Sequence, residues 1–395
     1  MILYHIDQVK EGMTLGKSVY LSRGDLLLAA GFKIKGHYLK RLKDFGYCYV
    51  YIQEPGTEDI MPEEIISEQI MREVEVSVSK SFSELEKLTV FKDASRKNIE
   101  QELNRNKNQF KNIIISDNVK RSLQSIIDKI LENPNVALNL SSLKSRDDLT
   151  YQRAINVTII SLCIGKKFGL NREEMEQLAL GSLCFDVGLI ALPKELAQKK
   201  PPYSDEEFNL YKEHTTFGFL ILSGNPAIPP TASAVALQHH EWQNGQGYPR
   251  GLKGDNKLPY KTINAVGRIH RFAEIVAVAD GYDSLVSKFS ENDPLIAPEK
   301  AIAGLVQNSG VQYNQTIVQT FIKTVPIFPV GAKFRVVNSS DYLIVGAKGV
   351  VAKQNSQNLD KPTLLLLYTK KGNSIQPPKM VEMANDTGLK IELIL

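Results

Sequence analysis

Four hydrophobic patterns follow one another along the 395 residues. In residues 1–54 short apolar runs alternate with turn signals. Leu26, Leu27 and Leu28 ahead of Ala29, Ala30 and Gly31 predict a strand running into a turn. Tyr38, Leu39 and Leu42 predict a helix, and residues 47–52, after Gly46, a second strand. Pro55 and Gly56 then break the chain. From 55 to 132 the sequence is charged, nearly free of glycine and helically periodic. Phe82, Leu85 and Leu88, and later Val119, Leu123, Ile126, Ile127 and Ile130, mark apolar faces. These read as connecting helices, with a partner subunit as one candidate cover.

Residues 133–325 carry helix punctuation. An apolar helix over 154–168 stops at Gly169. Asn171 with Glu174, and Ser204 with Glu207, have capping-box spacing. Beyond Pro326 the pattern turns to short runs that predict strands around Phe334-Arg335-Val336-Val337, Gly349-Val350-Val351-Ala352 and residues 363–368. The expected fold is mainly α: a small α/β N-terminal domain (1–54), connecting helices (55–132), an all-helical core domain (133–325) and a small β module (326–395).

Composition narrows the class. With 43% hydrophobic and 23% charged residues the balance is that of a globular protein, and a net charge of +4 gives no electrostatic case for a nucleic-acid or membrane surface. The start of the chain lacks the basic-then-apolar pattern of a secretory signal, so the expected location is cytoplasmic. Cys48, Cys163 and Cys184 have no paired spacing, which argues against disulfides and against a cysteine zinc site.

Only six histidines occur, yet His239 and His240 are adjacent and are followed by Glu241 and a loop holding Gly245, Gly247, Tyr248, Pro249 and Arg250. Taken with Asp186, His214 and Asp280, they are the residue types that hold zinc, iron or manganese. Such scattered ligands converge when several helices of one bundle each contribute one. Asp280 is placed on an apolar face with Ile269, Ala273 and Val276, where a carboxylate needs a cation or strong hydrogen bonds. The plainer readings are helix-end histidines bonded to carbonyls, an Asp186 that caps a helix, a solvated Arg153, and glycines that only make a turn. Arg153 shares a helical face with Val157 and Ile160, which directs its head inward. His5, His37 and His270 read as ordinary, and Cys184 falls about 200° from Asp186 on a helical wheel at roughly 100° per residue.

Residues 239–252 resemble the signature of the HD-GYP family, metal-dependent phosphodiesterases that open cyclic di-GMP, and the resemblance extends over roughly 145–310. The N-terminal unit also resembles the small domain often found ahead of HD-GYP domains. Within 181–189 the aspartate of the family's His-Asp pair is Asp186, but Phe185 stands at the histidine position and Leu189 at the lysine position. Arg153 stands where an earlier histidine ligand is expected, and Leu149 at a glutamate position one turn before it. The resemblance implies one complete metal site, Asp186, His214, His239 and His240. The second would use Asp186 and Asp280 but has lost its nitrogen donors, since arginine stays protonated and phenylalanine has no lone pair.

One divalent transition metal is therefore expected, and not a second, with phosphodiesterase activity impaired or lost. Arg153 is expected to meet Asp280 in place of the missing cation. Leu189, and acidic residues around Lys288 where the family has a basic stretch, weaken the hold on cyclic di-GMP. Lys288 and Arg250 remain as candidate phosphate contacts. The loop Gly247-Tyr248-Pro249 implies contacts with a diguanylate cyclase domain or another signalling protein, and a homodimer is compatible with the sequence. The alternatives are an active one-metal phosphodiesterase or phosphohydrolase and a cyclic di-GMP receptor.

Overall fold

A computed structural model describes residues 1–20, 25–45, 47, 49–61, 66–88, 96–114, 116–132, 149–199, 201–223, 228–257, 267–286, 298–355 and 358–394. Strands β1 (Ile2–His5), β2 (Thr14–Leu15), β3 (Val19–Tyr20) and β4 (Leu26–Leu28) are followed by helix α1 (Gly36–Asp44) and β5 (Tyr49–Gln53). β5 lies between β1 and β2 in an antiparallel sheet, and β3 pairs with β4. The strand expected over 47–52 thus begins two residues later.

Four helices follow: α2 (Glu68–Leu88), α3 (Arg96–Arg105), α4 (Lys107–Ile114) and α5 (Asp117–Glu132). Their apolar faces are not left for a partner. Val78, Ile99, Phe110 and Ile126 join one continuous core with residues of the later helices, so burial within the chain covers the stripe that the periodicity announces.

The helical domain comprises α6 (Leu149–Lys167), α7 (Arg172–Leu183), α8 (Lys194–Ala197), α9 (Asp205–Lys212), α10 (His214–Leu222), α11 (Pro230–Gln238), α12 (Arg271–Val286), α13 (Pro298–Gln307) and α14 (Gln315–Ile322). Its starts follow local chemistry. Asn171 and Ser204 each accept a hydrogen bond from the backbone of the glutamate three residues on, and each glutamate bonds back, closing both capping boxes. Pro230 occupies the first turn of α11, where no amide hydrogen is needed. Helix α12 begins at Arg271, so Ile269 precedes the helix on which the sequence placed it.

The C-terminal strands β6 (Lys333–Asn338), β7 (Lys348–Lys353), β8 (Thr363–Tyr368), β9 (Ser374–Glu382) and β10 (Lys390–Leu393) form an antiparallel sheet in the order β10-β6-β7-β8-β9. The last two have no strong apolar run and were not legible. This sheet packs on the N-terminal one: Val330, Val350 and Leu365 share a core with Ile2, Leu15, Ile34 and Leu42. Among the described residues no helix is long and apolar enough to cross a membrane.

Candidate metal centre

Asp186 lies between α7 and a short 3-10 turn over Val187–Ala191, and that turn presses against α10. A side chain on Gly188 would place its Cβ 1.9 Å from the carbonyl oxygen of His214 and 2.5 Å from the amide of Gly218. Only glycine permits this approach, which brings Asp186 beside His214 at the start of α10. His239 closes α11 and His240 follows it. Four ligand atoms, one each from Asp186, His214, His239 and His240, lie within 4.8 Å of one another.

The imidazoles are oriented from behind. His214 Nδ1 is 2.6 Å from the carbonyl of Tyr211, and His239 Nδ1 is 3.1 Å and 3.2 Å from those of Ala236 and Val235. A carbonyl only accepts, so Nδ1 carries the proton in each ring and Nε2 presents its lone pair. The two Nε2 atoms are 3.4 Å apart, and each is 3.4 Å from Asp186 Oδ1. That oxygen is buried and has no hydrogen-bond partner. Two lone pairs and an orphaned carboxylate oxygen facing one another fit a divalent cation.

Burial pushes the His214 pKa down to about 4, and it also pushes His240 well below its usual value, with His239 and His214 adding to the effect. Both rings therefore stay neutral, the form that ligates. Burial opposes ionisation of Asp186, but the contact with His239, the neighbouring His214 and the Arg153 charge outweigh it and hold the carboxyl below its ordinary range.

The neighbouring half differs. Arg153, on α6, reaches α12, where its Nη2 donates to Asp280 Oδ1 and, at 3.0 Å, to Ser284; Nε lies 3.6 Å from Asp283. Asn156, one turn along α6, donates to the other oxygen of Asp283 at 2.9 Å. Burial works against the Arg153 charge, but Asp280, Asp186 and Asp283 outweigh it and raise its pKa. Burial pushes the Asp280 carboxyl up and Arg153 pulls it back. Phe185 is fully buried, its ring edge-on to His239 with centroids 5.1 Å apart. These residues do not fit a second metal ion, because neither Arg153 nor Phe185 can donate a lone pair.

The glycine loop folds back over the centre. Glu241 accepts the amides of Arg250 at 2.7 Å and Leu252 at 2.8 Å, fastening its two ends. The Tyr248 amide donates to His240 O, and the Tyr248 ring lies 4.8 Å from that of His240. A Cβ on Gly247 would fall 2.4 Å from His240 O, so this return also requires glycine. The loop is anchored below by Gln243, which donates to the buried Glu274; Asn314 donates to the same oxygen. Burial raises Glu274 to about 7.

Leu189 is half-buried against the core, Pro249 and Arg250 are exposed, and Cys163 and Cys184 are buried thiols. Lys288, Cys48 and the side chain of Leu149 lie outside the described residues. A cavity of about 310 Å³ opens between His240, Asp280, Trp242, Asn308 and Tyr313. Sequence reasoning assigns no role to Gly188, Tyr211 or Asp283, and it notes Glu241 beside the histidines without a partner for it. Glu241 adjoined the histidine pair and Asp283 the matched Asp280, which were signals; Tyr211 acts through its carbonyl, which no side-chain motif reveals.

Comparison with known proteins places this stretch among described families. Residues 137–317 match the HD domain family model. The chain is 27% identical over 261 residues to a cyclic di-GMP phosphodiesterase of Pseudomonas aeruginosa, covering 66% of this chain and 58% of that protein. It is 33% identical over 187 residues to a cyclic di-GMP phosphodiesterase of Thermotoga maritima, covering 47% of each. The chain thus spans about half the length of these curated relatives. Among solved structures, an HDG"Y"P protein of Bdellovibrio bacteriovorus aligns over 81% of this chain and 97% of its own, at 20% identity and a TM-score of 0.45. The mainly helical segment thus matches the HD domain model, and the curated relatives it aligns with are cyclic di-GMP phosphodiesterases.

Proposed function

We propose that this is an HD-GYP-type protein of cyclic di-GMP signalling whose site holds one divalent metal ion and has impaired or no phosphodiesterase activity, so that it acts through binding. The carrying observation is the asymmetry of the site: a complete set of neutral nitrogen donors around Asp186, and a guanidinium against Asp280. Asp186, His214, His239 and His240 hold the ion. When bound, iron, manganese or zinc supplies Lewis acidity toward a phosphoryl oxygen.

The chain's own residues do the remainder. Tyr211, Val235 and Ala236 fix the imidazole tautomers through their carbonyls, and Phe185 excludes water behind His239. The Glu241-fastened loop keeps Tyr248 over His240. Trp242 and Tyr313 offer aromatic faces along the cavity to a planar base. The loop from Gly247 to Arg250, exposed at Pro249 and Arg250, is the surface for a diguanylate cyclase domain or another signalling partner.

The test pairs calorimetric binding of cyclic di-GMP to the manganese-loaded protein with chromatographic detection of linear product. Binding without appreciable turnover is expected, and efficient metal-dependent hydrolysis would overturn the reading. One observation favours a second reading, a one-metal phosphodiesterase: the cavity reaches both His240 and Asp280, so a phosphodiester could lie across the centre.

A further inference from the structure

Three carboxylates, Asp186, Asp280 and Asp283, converge on the seam between α6, α12 and the turn after α7, in a region otherwise packed with apolar side chains. All three are buried. On the side facing α10 and α11, Asp186 meets imidazole nitrogens. On the other side the positive charge comes from α6: Arg153 donates to Asp280 and Ser284 and lies 3.6 Å from Asp283 through Nε, while Asn156 donates to the other oxygen of Asp283. Its charge also acts on Asp186.

We propose that the Arg153 guanidinium is a built-in cation that replaces a second metal ion, serving Asp280 and Asp283, so that the centre takes one metal ion and no more. A planar fork with five donors satisfies several carboxylate oxygens in fixed directions, which a hydrated ion would otherwise have to do. Phe185 seals the same half, since its ring edge on His239 occupies volume that a nitrogen donor at that position would use. Arg153 is thus a positioning residue: it keeps Asp280 and Asp283 in place without metal and leaves the exchangeable ion to the histidine side.

The inference rests on the metal reading of the histidine cluster for its first ion only, and the test separates the two. Metal-free wild type and the double variant Arg153→His/Phe185→His are titrated with Mn²⁺ by calorimetry, and bound metal is counted by elemental analysis. One ion per chain in wild type and two in the double variant is the expected result. None in wild type and one in the double variant would support the Arg153 proposal while refuting the metal reading of the histidine cluster. Two in wild type, or the same number in both proteins, overturns the proposal.

Should the double variant not fold, Arg153→His in the His239→Ala background, which restores one nitrogen donor beside Asp280, supplies the readout. Its melting temperature should rise by on the order of 5 °C with Mn²⁺ at about a hundred times its dissociation constant, whereas His239→Ala alone should not respond. A residue that merely filled space would produce neither the second ion nor the metal-dependent rise, and an equal response in the two proteins again overturns the proposal.

Discussion

Around Asp186 negative charge faces neutral imidazoles whose lone pairs are held open by backbone carbonyls; around Asp280, across the same packed helices, it faces a guanidinium locked to two neighbouring side chains. The first arrangement is incomplete without a cation, as the orphaned Asp186 Oδ1 shows. In the second the guanidinium already donates to Asp280 and stands 3.6 Å from Asp283. Desolvated carboxylates demand compensation in both places, but only one solution can exchange its cation with solvent. The difference lies in two side chains, Arg153 and Phe185.

The sharpest way to break the contrast is on the histidine side. Changes to groups that merely orient metal ligands cost about 10–100-fold in affinity, so His239→Ala, which removes a ligand, should weaken metal binding by at least that much. Elemental analysis after dialysis checks this, and retention of a full equivalent would refute the assignment of His239. On the other side, Arg153→Ala should cost about 3–5 kcal/mol of stability, the range for stranding one partner of a buried ion pair. Urea denaturation in the presence of chelator measures it. A loss under about 1 kcal/mol, typical of an exposed pair, would show that the guanidinium is not needed.

A third test uses acid. The folded pKa of His214 is depressed to about 4 from 6.5, so between these values the unfolded chain binds a proton that the folded one refuses. Stability of the metal-free protein should therefore fall as pH drops from about 6.5 toward 4, by up to about 1.4 kcal/mol per unit and about 3 kcal/mol in all from this residue. Depressed His240 acts with the same sign, and Asp186, lowered as well, adds to the loss at still lower pH. Urea midpoints at pH 7.5 and 5 test this, with His214→Gln expected to flatten the profile. Smallest of all, Glu241→Gln leaves one of the Arg250 and Leu252 amides without its acceptor. It should cost about 1–2 kcal/mol, seen as faster hydrogen exchange at those amides with metal affinity little changed.

Much of this was legible in the sequence because it depends on side-chain identity. The paired histidines, the capping boxes at Asn171 and Ser204 and the inward-facing Arg153 each announce themselves by residue type and spacing. What was not legible depends on backbone. The Tyr211 carbonyl that sets the His214 tautomer has no residue signature. Gly188 looks like any turn glycine until the approach of α10 is known. Strands β9 and β10 are made by pairing partners rather than by apolar alternation, and the covering of α2 to α5 within the chain is a tertiary fact that an amphipathic pattern cannot distinguish from a subunit interface.

The shared core of the two terminal sheets sets an order of events during synthesis. The amide of Leu3 bonds to the carbonyl of Gly331, and Ile2 and Leu15 are buried together with Val330, Val350 and Leu365. At about 5–20 residues per second on the ribosome, the N-terminal strands wait roughly 16–65 s for those partners to appear. During that interval the helical domain can close on itself, while the first sheet keeps an apolar face open. The contacts between the two sheets are thus among the late ones to form, and the first sheet is the part most in need of protection from aggregation until the second is made.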